Sequence, residues 1–153
     1  MTHAKERGFS LIELLVVIAV IGVLSAIAIT SYVHAIEKAR ITRTVAEIRT
    51  LEKEITKFAM DNDRFPESLD EIGWVRDDVW GNPYQYASFD DAPGNGVPGH
   101  ARKDRWLVPL NSDFDLYSVG PDGDSQPPLT AKASHDDIIR AGNGAYIGLA
   151  SGY

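Results

Sequence analysis

The sequence predicts an α+β protein, one long N-terminal helix followed by a small antiparallel sheet, and three observations carry that expectation. Leu11 to Ile29 is a run of nineteen residues that is apolar apart from one carboxylate, Glu13. Beyond it, Val33, Ile36, Ile41, Val45, Ile48, Leu51, Ile55 and Phe58 recur mostly at steps of three or four, with charged residues on the other faces. After Pro66, the first proline of the chain, short apolar segments alternate with Gly, Pro, Asn and Asp. A helix followed by strands, rather than an alternation of the two, is the order of an α+β domain.

The helix is the first element. Nineteen helical residues span about 28 Å at about 1.5 Å each, close to the thickness of a bilayer's hydrocarbon core. Residues 9–30 are therefore long and apolar enough to cross a membrane, and residues 31–153 are expected to form one domain that includes the amphipathic half of the helix. An ionised Glu13 inside the apolar run costs about 2–3 kcal/mol on insertion scales, so it needs a partner or a purpose. With no proline before Pro66 and only Gly22 as a weak point, one helix of about fifty residues and roughly 75 Å is expected. Asp61-Asn62-Asp63-Arg64-Phe65-Pro66 supplies the turn formers that end it.

Ser68 to Trp74 reads as a brief helix, with Ser68 and Glu71 at capping-box spacing. Tyr84 to Phe89, Arg105 to Leu110 and Phe114 to Val119 are the expected strands, separated by the loop Ala92 to Gly99 and by Asn111-Ser112-Asp113. Trp80, Tyr84 and Tyr86 are expected as buried anchors at the entry to the first strand. The C-terminal remainder is expected as a loop region.

Composition narrows the function classes. The net charge is -7, and loss of Lys5, Glu6 and Arg7 would make it -8. An acidic body with scattered basic residues argues against nucleic acid as a partner and is compatible with a divalent cation. There is no cysteine, so no disulfide closes the C-terminal loops. Catalysis finds no support: there is no thiol, no Gly-rich phosphate loop and no G-x-S-x-G, and His3, His34, His100 and His135 have no metal-ligand spacing.

The leader Met1 to Gly8 carries Lys5 and Arg7 and has no apolar core, and the small-residue junction lies before the apolar run, at Gly8-Phe9. Cleavage there would retain the hydrophobic helix, unlike removal of an ordinary secretory signal. The stretch Arg7-Gly8-Phe9-Ser10-Leu11-Ile12-Glu13-Leu14-Leu15-Val16-Val17-Ile18 closely resembles the processing signal of type IV pilins and of the pseudopilins of type II secretion systems. The resemblance implies that residues 1–8 are a prepilin leader, that a prepilin peptidase cuts after Gly8 and methylates the amine of Phe9, and that Glu13 pairs with that amine on a neighbouring subunit during assembly. Many pilins have proline where this chain has Thr30. A plain single-pass anchor, with Glu13 solvated near the interface and Lys5 and Arg7 fixing orientation, is the other reading of the same residues.

Two further segments carry the resemblance. Asp78-Val79-Trp80-Gly81-Asn82-Pro83-Tyr84-Gln85-Tyr86 resembles the D-P-W-G-N-P-Y-Q-Y segment of major pseudopilins. Tyr117-Ser118-Val119-Gly120-Pro121-Asp122-Gly123-Asp124, with His135-Asp136-Asp137-Ile138 thirteen residues beyond Asp122, is similar to the pseudopilin pattern Y-S-L-G-x-D-G…D-D-I. That pattern implies calcium, held here by the Val119 carbonyl, Asp122, Asp136 and Asp137, with Asp124 as a further candidate. The chemistry is reasonable, since calcium takes six to eight oxygens and a Gly-rich loop of carboxylates can wrap it. The other reading is a solvated acidic loop in which Asp136 and Asp137 cap a short helix.

The resemblance thus implies a structural subunit that polymerises into a pseudopilus driving type II protein secretion. Its expected partners are copies of itself, the prepilin peptidase, minor pseudopilins and an inner-membrane assembly platform, with the domain in the periplasm. The alternatives are a pilin of a type IV pilus and a membrane-anchored binding module that never polymerises.

Overall fold

The computed structural model describes residues 9–90, 99 and 101–153. Gly8 and the rest of the leader, His100 and most of the loop Ala92 to Gly99 lie outside the described residues.

Helix α1 occupies Leu11–Asn62 and ends within the turn-forming segment expected to end it. Asp63 follows in the left-handed region at φ 54°, which a short polar side chain tolerates better than a branched one. Thr30 keeps its place in the helix, donating its hydroxyl to the Ile27 carbonyl at 3.0 Å. The chain divides into two compact units, one ending at Ala39 and the other comprising Arg40–Tyr153.

In the first unit the apolar run shows its side chains on every face: Leu11, Leu15, Ile18, Ile21, Leu24 and Ile29 are all exposed. A helix that is apolar all round and exposed requires lipid or other helices as its surroundings. This segment has a mean hydropathy of 2.9 over eighteen residues.

In the second unit the stripe of α1 becomes core. Ile48, Leu51 and Ile55 are fully buried against Tyr84, Phe114, Leu116 and Ile138. The sheet is an antiparallel meander of β1 (Gln85–Ser88), β2 (Phe114–Ser118), β3 (Ile138–Ala141) and β4 (Tyr146–Leu149), in that spatial order. Because successive strand residues face opposite sides, Ile138 enters the helix-side cluster while its neighbour Ile139 joins Leu110, Leu129, Ala141 and Ala150 in a second one. The long chain segments around β2 and β3 supply that second layer, which lets a four-stranded sheet be covered on both faces.

Three expectations are corrected. Arg105–Leu110 is not a strand: Asp104 and Leu107 close a tight turn through reciprocal backbone bonds of 2.6 and 3.0 Å, Arg105 has φ 42°, and Trp106 is 96% exposed. Pro109, lacking an N–H, could not have continued a ladder in any case. The C-terminal remainder is not loop alone, since β3 and β4 lie in it. Ser68 precedes a single 3-10 turn, Leu69–Ile72, without a side-chain cap; Glu71 instead accepts the Glu67 N–H at 2.8 Å. The aromatic anchors do sit as expected in part. Tyr84 is buried and donates to Glu47 Oε2 at 2.6 Å, and Tyr86 is half-buried and donates to the Pro66 carbonyl at 2.9 Å.

Candidate functional site

Two regions hold the residues singled out from the sequence. At the start of α1, Ser10 and Glu13 form a reciprocal cap. The Ser10 N–H and hydroxyl donate to Glu13 Oε2 at 3.2 and 3.1 Å, and the Glu13 N–H donates to Ser10 Oγ at 3.2 Å. The Leu14 N–H reaches the Ser10 carbonyl at 3.2 Å, which closes the first helical turn. This is a capping box, whose four-residue spacing Ser10-Leu11-Ile12-Glu13 was readable in the sequence, and sequence reasoning that fixed on the charge of Glu13 missed Ser10. Its consequence is geometric. The carboxylate is drawn back to the end of the helix, one residue from Phe9, where the positive end of the helix dipole also favours it.

The second region is the loop between β2 and β3. Its base is built by the turn between Asp78 and Asn82, which was not assigned any chemistry from its residues alone. Asp78 Oδ1 accepts the N–H groups of Trp80 and Asn82 at 3.0 and 2.9 Å, while its Oδ2 accepts the Ser118 hydroxyl at 2.5 Å. Asn82 then donates its side-chain amide to the Gly120 carbonyl at 2.9 Å. Gly120 is required here, because its φ is 68° and a Cβ would overlap the Asp136 carbonyl.

The five expected metal ligands are distributed unevenly around this base. Asp122 and Asp136 come together, the Asp122 N–H lying 3.4 Å from Asp136 Oδ2. Asp122 and Asp124 are exposed and cap the turn, Asp122 Oδ1 accepting the Asp124 N–H and Asp124 Oδ1 the Ser125 N–H, each at 2.9 Å. Asp137 is engaged through one of its two oxygens. It is fully buried, and its Oδ2 accepts from Arg102 Nη2 at 2.5 Å and from the Ser125 hydroxyl at 2.6 Å. Burial pushes the Asp137 carboxyl up from its ordinary range, and Ser125 and Arg102 act against that. Among the described residues, no three acidic or histidine side chains are gathered at distances that would hold a metal ion. Asp137 thus commits one oxygen to Arg102 and Ser125, while its Oδ1 is buried without a hydrogen-bond partner among the described residues. His135 is exposed beside half-buried Asp136.

Residues 3–29 match the family described as the prokaryotic N-terminal methylation motif. Over most of its length the chain is similar to type II secretion system core protein G: 30% identical over 160 residues to that of Escherichia coli strain K12, covering 90% of this chain and 92% of the relative. With the Pseudomonas aeruginosa protein of the same name it shares 27% identity over 145 residues, 80% of this chain and 89% of the relative. It is also 33% identical over 95 residues to the type IV major fimbrial protein FimA of Dichelobacter nodosus, a match covering 60% of this chain and 58% of the relative. No solved structure matches the chain.

Proposed function

The chain belongs to the family of the type II secretion system core protein G, the major pseudopilins, and from that membership we propose that it is a structural subunit polymerising into the pseudopilus that drives type II protein secretion. The observation that carries the reading is the junction of a capped carboxylate with an uncovered apolar helix. Glu13 stands at the end of an apolar helical run whose side chains are exposed on every face, and such a run is stable either in lipid or among copies of itself. In the bilayer the carboxylate lies near the polar edge, where its cost is small; in a helical bundle it gains the amine of Phe9 on a neighbour. Assembly thus exchanges lipid contacts for helix contacts and adds a charge pair.

On this reading the leader is removed after Gly8, Phe9 is N-methylated, and the unprocessed and processed subunits reside in the inner membrane with Arg40–Tyr153 in the periplasm. The partners are the prepilin peptidase, the assembly platform, minor pseudopilins and further copies of the chain, and the subunit has no catalytic role. Secretion is favoured over a type IV pilus because similarity to the fimbrial protein covers 60% of the chain, whereas similarity to core protein G covers 90%.

Processing supplies the test. A peptidase that reads a small residue before the cut should not accept Gly8→Val, so cells carrying that variant should accumulate a precursor eight residues longer and secrete no substrate. Equal mobility of the variant and the parent on a denaturing gel, with secretion intact, would contradict the proposal.

A further inference from the structure

The feature of the β2–β3 loop that its calcium-binding resemblance does not account for is Arg102. Its side chain is 3% exposed, and its position is fixed from the backbone outward. The Arg102 N–H donates to Asp115 Oδ2 at 2.6 Å, and Asp115 Oδ1 accepts in turn from Asn111 Nδ2 at 2.9 Å. From there the guanidinium crosses Tyr117 of β2, its central carbon 4.3 Å from the ring centroid, and enters the loop. It donates to Asp137 Oδ2 at 2.5 Å, to Ser125 Oγ at 2.5 Å and to the Gln126 carbonyl at 2.9 Å. One side chain thereby joins the residue before β3 to the first part of the thirteen-residue insert.

Of these points Asp137 is the one that the resemblance also assigns to calcium. A guanidinium is always charged and carries five donors in a rigid fork, so it can replace a cation as a centre for oxygen atoms. It also excludes one. A divalent ion at the Asp137 carboxylate would stand beside a buried positive charge, and the repulsion of the two opposes its binding.

We infer that Arg102 is the internal cation of this loop, closing the segment between Ser125 and Asp137 in place of calcium, so that the domain's stability does not depend on a divalent ion. The inference concerns the single subunit and stands whether or not the chain polymerises. It accounts for the insert as well: Ser125 and Gln126, which receive two of the guanidinium's bonds, lie within it.

The test uses the full-length chain in detergent, unassembled, with thermal unfolding followed by tryptophan fluorescence in chelator, in calcium and in magnesium. The parent's midpoint should agree within about 1 °C across all three, and Asp122→Ala should behave like the parent. Arg102→Met, which keeps the stem and removes the charge, should fall by about 5–15 °C, equally with and without calcium. A parent that loses several degrees in chelator and regains them in calcium overturns the inference, whatever Arg102→Met does. An Arg102→Met midpoint equal to the parent's also overturns it. If Arg102→Met does not fold, the parent and Asp122→Ala in chelator decide the matter alone.

Discussion

Glu13→Leu should leave the chain in the membrane at normal abundance and abolish filaments. The substitution removes a charge that costs about 2–3 kcal/mol in an apolar run, so insertion is eased rather than hindered. Assembly loses more than that. The amine of Phe9, brought into a bundle of apolar helices without its carboxylate, would be an uncompensated buried charge, which costs about 3–5 kcal/mol where such pairs are broken. Spread over each subunit added, about 3 kcal/mol is a more than hundredfold loss in affinity. Ser10→Ala separates this effect from helix capping. It removes the hydroxyl of the capping box, worth about 1 kcal/mol, and leaves the carboxylate, so filaments should form at reduced yield. Electron microscopy of sheared material from cells lacking the parent subunit reads both results. Normal filaments from Glu13→Leu would show that the carboxylate has no role in assembly.

Arg140→Met should cost the globular unit about 3–5 kcal/mol, a large share of the roughly 5–15 kcal/mol that holds a domain together. Arg140 lies on β3 with its side chain 3% exposed, its Nε donating to Glu52 of α1 at 2.7 Å and its two terminal nitrogens donating to Asp113 at 2.8 and 2.7 Å. It also donates to the Phe114 carbonyl at 3.1 Å and stacks on the Phe114 ring at 4.0 Å. Helix, β2 and β3 therefore meet at one guanidinium, and its loss leaves two partly buried carboxylates facing each other. Gly144, after β3, leaves room for the Glu52 end of the bridge, where a Cβ would overlap the carboxylate. Urea unfolding of the full chain in detergent should show the midpoint lowered with the slope unchanged. The exposed pair Arg64–Glu71 is the control, since Arg64→Met removes a bridge whose arginine is 46% exposed and should shift the midpoint little. A midpoint shift in Arg140→Met no larger than that of the control would contradict the structural role assigned to Arg140.

What could be read from the residues follows from how strongly each element declares itself. A helix of 52 residues repeats its pattern many times, so α1, its buried stripe and its end near Asn62 were legible. The first two strands were legible because turn residues bracket them, and β1 and β2 begin within one residue of expectation. Strands β3 and β4 were missed because four residues carry little periodicity and Arg140 interrupts the apolar run of the first. The available signal was the turn Gly142-Asn143-Gly144-Ala145, which separates the two apolar quartets and has three residues at positive φ. The opposite error arose at Arg105–Leu110, where Trp, Leu and Val suggested burial but the turn at Asp104–Leu107 holds Trp106 outward. At the N-terminus, the sequence named Glu13 and spelled its partner Ser10 three residues earlier. At the β2–β3 loop it named the acidic residues but could not show that the basic one among them would come from Arg102, 35 positions before Asp137. Pairings across that distance depend on the fold and leave no local pattern.

The central claim is that this chain is a processed subunit of a filament, and the mass of the subunit inside that filament tests it most directly. Filaments sheared from cells and dissolved for intact-mass and N-terminal peptide analysis should contain a chain that has lost residues 1–8 and begins at an N-methylated Phe9. A subunit that begins at Met1, or after a small residue downstream such as Gly22, or sheared material in which this chain is absent, would contradict the account.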